Sequence, residues 1–197
     1  MATPQAQLVL PARIHQWTVE EYYRMGDAGI FEGRHVELIE GEIIDMATML
    51  SPHATSVTLT VEAVREAFGQ GWVVRTQLPL RLSNISEPEP DVVVVAGKIR
   101  DFKDAHPTTA ALVIEVSEST LNYGSKQKAS MYAKAGLQDY WIINLVQRQL
   151  EIYRRPIPDA TANYGFSYGE RGVYQEGDWA APLALPNAQI TVDDLLP

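Results

Sequence analysis

Two stretches constrain the fold of this chain more than any others: PDVVVVA at residues 90–96 and ALVIEVS at 111–117. Both are continuous apolar runs rich in β-branched side chains, the pattern of strands buried on both faces. Each carries a single carboxylate. Strand alternation sets Asp91, Val93 and Val95 on one face of the first run, and Val113, Glu115 and Ser117 on one face of the second. An ionised carboxylate among Val and Ile costs several kcal/mol or drives its own pKa upward. A cation, a hydrogen-bond cluster or access to a cleft must compensate, and a divalent metal with oxygen ligands would serve two such acids at once. For Asp91 alone, after the loop SEPEP, a wet strand end is the simpler account. For Glu115, in mid-strand, it is not.

The rest of the chain reads as helices and strands around these runs. Thr18 followed by Glu21 has capping-box spacing, which predicts a short helix ending near Gly29. HVELIEGEIIDM divides around Glu40-Gly41 into a hairpin, with Glu40 and Glu42 expected as surface charge. From Ser51 to Gly69, Ala54, Val57, Val61, Val64 and Phe68 recur at spacings of three and four, one helical stripe. VVRTQLPLRL reads as a strand flawed by Pro79, hence an edge or a bulge. A helix from about Lys126 to Ala135, stopped by Gly136, precedes the strands DYWIINL and QLEIYRR. Arg154 and Arg155 are expected at a solvated strand end; Trp72, Trp141, Tyr132, Tyr140 and Tyr153 are expected in the core. The element order is that of an α/β fold, a mixed sheet flanked by helices. The division expected is an arm over 1–13, a core over 14–155, and a hairpin-like extension over 156–197 packed on the same domain.

Lys128 stands out within its helix. At 100° per residue it falls in the apolar arc, between Met131 and Tyr132, while Lys126, Gln127, Ser130 and Lys134 fall opposite. A lysine so placed snorkels outward along its stem or meets an anion inside; two sheet carboxylates favour the internal partner. A desolvated lysine can lose its proton more readily, or steer a water or a charged transition state.

Composition removes several function classes. The chain contains no cysteine, which excludes disulfides, zinc–thiolate sites and thiol nucleophiles. No apolar run approaches the roughly 18 residues of a membrane span, and the start, MATPQAQLVLPARIHQW, lacks the features of a secretory signal. A cytoplasmic location with no membrane partner is expected. The net charge of −9 opposes avid, sequence-independent DNA binding, which depends on Lys and Arg displacing counterions. The charge is uneven, however. Between Arg75 and Lys134 eight basic residues meet seven acidic ones, so the middle of the chain is near neutral.

The stretches ELIEGEI, SPH, EPDVVVV, VIEVSEST and KASMYAKAGLQDYWIIN, in this order, resemble the Uma two family of endonucleases, within the PD-(D/E)XK restriction-endonuclease-like superfamily. The likeness spans about residues 14 to 155 and is most specific from Leu112 to Asn144. It implies a restriction-endonuclease-like core with Asp91 and Glu115 as the acid pair. It also implies Mg²⁺ or Mn²⁺ held by them and the Val116 backbone carbonyl, with Lys128 as the catalytic lysine. Glu37 matches the family's N-terminal glutamate and His53 its helix-start histidine. A helix start favours neutral histidine, so His53 reads equally as a phosphate contact or as packing. Ser117 stands where the superfamily usually has lysine, and Gly124 where many relatives have an acid.

Three functions compete. The first is a metal-dependent endonuclease acting on nucleic acid, with DNA expected. The second is a nuclease fold of weak or no activity serving as a binding module or homodimer, through edge strands near Pro79 and Tyr153. The third, carboxylate-based glycoside hydrolysis, needs two acids across a sugar cleft, and the lysine and the lack of an aromatic-rich acidic loop argue against it.

Overall fold

The computed structural model describes residues 13–118 and 123–197; the arm read at the start of the chain lies, but for its last residue, outside them. Helix α1 (Val19–Asp27) begins at Thr18, whose hydroxyl accepts from Glu21 N while the Glu21 carboxylate accepts from Thr18 N. That is the reciprocal cap its spacing predicts. The hairpin follows as β1 (Val36–Ile39) and β2 (Glu42–Asp45), turning through Glu40 and Gly41 at φ 50° and 84°. Gly41 N donates to Ile85 O and Trp17 N to Gly41 O, so the turn is clamped from both sides. Every residue of β1 is buried.

Helix α2 (Ser51–Phe68) leads into a six-stranded sheet ordered β3 (Trp72–Arg75), β4 (Val92–Ala96), β5 (Leu112–Ser117), β6 (Asp139–Asn144), β7 (Gln149–Pro158) and β8 (Phe166–Gln175). All neighbouring pairs are antiparallel except β5–β6, which α3 (Tyr123–Lys134) connects as a crossover. Both faces are covered, which explains the unbroken apolar runs. On one face Val57, Val61, Val64 and Phe68 of α2 pack on Val92, Val94, Ile114, Trp141 and Ile143, together with Val192, Leu195 and Leu196 near the C-terminus. On the other, Met131 and Tyr132 of α3 pack on Val93, Val113, Tyr140 and Ile142, joined by Ile39 and Leu80. A short antiparallel pair, β9 (Trp179–Ala180) with β10 (Ile190–Thr191), completes the fold. Among the described residues no helix is long and apolar enough to cross a membrane.

Several expectations need correction. The strand read over 73–82 starts at Trp72 and ends at Arg75; Gln77 has φ 49°, and the chain then returns irregularly, with Leu80 N bonded to Pro88 O. β3 is nonetheless an outer strand, as Pro79 suggested. β7 continues through Pro156 and Pro158 because its pairing with β6 ends at Arg154, leaving the prolines no partner on that side to disappoint. Tyr153 therefore lies on a strand covered by β8, not at an edge. Glu40 is buried and paired with Lys134 rather than merely solvated. Arg154 neutralises the buried Asp139 at 2.8 Å instead of ending in water.

Candidate active site

The register that pairs Val92 with Ile114 sets Asp91, one step before β4, opposite Glu115 in β5. The two acids thus share a sheet face, which alternation within each strand left open until the register was known. Asp91 Oδ2 accepts from Val116 N at 2.8 Å, and Oδ1 accepts from Gln77 Nε2 at 3.5 Å and lies 3.0 Å from His53 Nε2. Burial works to raise the Asp91 carboxyl, but the hydrogen bond and charge of His53, the Val116 amide and the charge of Lys128 outweigh it. Asp91 is held below the usual carboxylate range.

Lys128 reaches inward from α3. Its Nζ lies 3.0 Å from Glu115 Oε1 and 3.3 Å from Glu37 Oε1, with its side chain 14% exposed. The internal partner expected for this lysine is therefore present twice over. Burial opposes the ammonium charge, but Glu115, Glu37 and Asp91 outweigh it and hold Lys128 above its ordinary value. Its ion pairs thus hold the proton that desolvation alone would loosen.

One lysine between two carboxylates cannot satisfy both. Burial pushes the Glu115 carboxyl up and the charges of Asp91 and Glu37 add to this. Lys128 and the Tyr132 hydroxyl offset it only in part, leaving Glu115 at about 7. Glu37, 1% exposed, is likewise raised by burial against the pull of Lys128. Its Oε2 is buried and makes no hydrogen bond, but it lies 3.3 Å from the Lys128 ammonium in the same ion pair. The group as a whole carries more negative charge than Lys128 and His53 can balance.

His53 departs from the sequence reading. Burial lowers it, but the hydrogen bond to Asp91 and the charges of Asp91, Glu118 and Glu115 prevail, so its pKa is raised rather than kept low by the helix start. Three residues were missed. Tyr132, read as a plain core aromatic, donates its hydroxyl to Glu115 Oε1 at 2.7 Å; its spacing of four from Lys128 places both on one helix face. Glu118 accepts from His53 N at 3.1 Å, and Gln77 touches Asp91; no sequence pattern marks either one.

Asp91, Glu115, Lys128, Glu37, His53, Gln77 and Glu118 line a cleft of about 1080 Å³ that also includes Glu89, Val116 and Ser117, with Arg34, His35 and Met49 at its lining; Tyr132 lies behind it. Among the described residues no group of three or more His, Cys, Asp or Glu side chains is arranged to hold a metal ion. The oxygen atoms the cleft does present, the Asp91 and Glu115 carboxylates among them, are hard donors of the kind a divalent cation takes. The surplus of acids suits such an ion.

A mixed sheet with acids on two adjacent strands and a buried lysine behind them is a restriction-endonuclease-like core. The chain belongs to the Uma2 family, whose sequence profile, described as "Putative restriction endonuclease", matches residues 19–193. It is also similar to a solved structure described as a putative nuclease belonging to DUF820 from Anabaena variabilis ATCC 29413. That likeness has a TM-score of 0.67 and covers 91% of this chain and 97% of that one at 16% identity, which is a likeness of fold. Among curated proteins nothing matches.

Proposed function

We propose that the chain is a divalent-metal-dependent endonuclease acting on DNA. The observation that carries this reading is the convergence of Asp91, Glu115 and Lys128 from β4, β5 and α3 on one cleft with an excess of negative charge. Family membership supports the nuclease class. Mg²⁺ or Mn²⁺, held by Asp91, Glu115 and the Val116 carbonyl, would supply Lewis acidity and an activated water for phosphodiester hydrolysis. Lys128, paired with two carboxylates, keeps its proton, so it acts as a cation toward a phosphate oxygen and not as a base. Glu37 braces the ammonium from the far side. His53 holds Asp91 by one oxygen, and the Val116 amide holds the other.

The test is a cleavage screen over single- and double-stranded DNA and RNA with Mg²⁺ or Mn²⁺, run beside Asp91→Ala. Wild type should cut DNA, and both chelation and the substitution should abolish cutting. Absence of cleavage on every substrate, with no effect of either ion on the melting temperature, would overturn the reading in favour of a binding module.

A further inference from the structure

Tyr132 sits one helical turn beyond Lys128 on α3, and both aim at the same atom. The Lys128 ammonium reaches Glu115 Oε1 at 3.0 Å and the Tyr132 hydroxyl reaches it at 2.7 Å. Residues four apart lie one above the other on a helix, so a single rigid element presents a charged donor and a neutral donor to one carboxylate oxygen. Tyr132 is fully buried, and its ring lies 5.0 Å from that of Tyr140, which in turn stacks on Tyr168 at 6.0 Å. The aromatic column leaves the phenol little freedom to turn elsewhere.

The two donors differ in what they can do. Lys128 is shared with Glu37, and as a flexible four-carbon chain it can move toward a phosphate. Among the described residues the Tyr132 hydroxyl donates to Glu115 alone, and its ring orientation is set by packing. A phenol is neutral near pH 7 and its hydroxyl donates to the carboxylate oxygen it faces. When Lys128 turns to a substrate, Tyr132 is the group that keeps the carboxylate in place.

We propose that Tyr132 is a positioning residue of the site: its hydroxyl holds Glu115 Oε1 against α3 and thereby orients the Glu115 carboxylate for a divalent cation. The proposal rests on the metal-centre reading above. Its physical analogue is the outer hydrogen bond that orients a ligating side chain, whose loss weakens metal affinity about 10–100-fold. Tyr132 touches neither the phosphate nor the ion.

The experiment is calorimetric titration of the full chain with MnCl₂, comparing wild type, Tyr132→Phe, Tyr168→Phe and Glu115→Gln. The first variant removes one oxygen and keeps the ring. The second removes a hydroxyl from the same aromatic column, where it donates to Leu137 O at 2.9 Å and not to Glu115. Tyr132→Phe should bind Mn²⁺ about tenfold more weakly, Tyr168→Phe should match wild type, and Glu115→Gln should lose the site. Circular dichroism on the same samples, with chelator, checks that each variant is folded at the titration temperature. Equal affinity of wild type and Tyr132→Phe overturns the positioning role while leaving the metal centre standing. An equal loss in both phenylalanine variants also overturns it, since column packing would then be the cause. If wild type itself binds no Mn²⁺, the metal-centre reading fails and this proposal fails with it.

Discussion

Replacing Glu115 by Gln should make the metal-free protein more stable, although the residue lies at the heart of the site. Glu115 has a folded pKa of about 7 against an ordinary value of 4.5, so between those values the folded state binds its proton more tightly than the unfolded chain does. A raised carboxyl contributes stability below about pH 4.5 that is lost as the pH rises through 7. At about 1.4 kcal/mol per pKa unit, the gap corresponds to about 3 kcal/mol carried as a penalty at pH 8. Glutamine keeps the shape, still accepts from Lys128 and Tyr132, and cannot ionise. Lys128 then faces Glu37 alone, one cation to one anion. For a chain of this size each kcal/mol moves the melting temperature by about 2–4 °C, so Glu115→Gln should melt roughly 6–12 °C higher at pH 8. The difference should shrink toward zero near pH 4.5. Differential scanning calorimetry in chelator at pH 5, 6.5 and 8 measures it. A glutamine variant no more stable than wild type at pH 8, or a gain independent of pH, would refute the idea that this carboxylate is an unbalanced charge.

Two further outcomes follow from neighbouring contacts. His53 has a raised pKa, so its interaction with Asp91 stabilises the fold below the unfolded value of 6.5 and fades as pH rises through the folded one; His53→Gln should destabilise more at pH 6 than at pH 9, as chemical denaturation can show. Gly41→Ala places a Cβ 2.6 Å from Gln16 Cβ at φ 84°. It should lower stability by about 1–3 kcal/mol and loosen the hairpin that carries Glu37, visible as faster amide exchange in residues 36–45.

The parts of this protein that were legible in its sequence are those where burial repeats with a period. The stripe of α2 and the two-faced runs of β4 and β5 needed only alternation and spacing. So did the inward face of Lys128, for which the mid-strand Glu115 carboxylate pointed to an internal partner; that Glu37 shares the ammonium left no trace. Pairings between distant, singly occurring polar residues left no such trace. Glu40 with Lys134 and Arg154 with Asp139 look like surface charge until the sheet register and the α3 packing bring them together. The prolines of β7 hid the length of that strand, because a sequence does not show that its neighbour β6 has already ended. His53 was misjudged for a related reason: a helix start was visible, but the Asp91 carboxylate 3.0 Å away outweighs it.

A crystal grown or soaked with Mn²⁺ and measured for anomalous scattering tests the metal centre most directly. The ion should appear between the Asp91 and Glu115 carboxylates, within about 2–2.6 Å of an oxygen from each, with Lys128 still directed into the cleft. Anomalous density confined to surface carboxylates such as those of Glu20 or Glu176, with none touching the acids of β4 and β5, would contradict it.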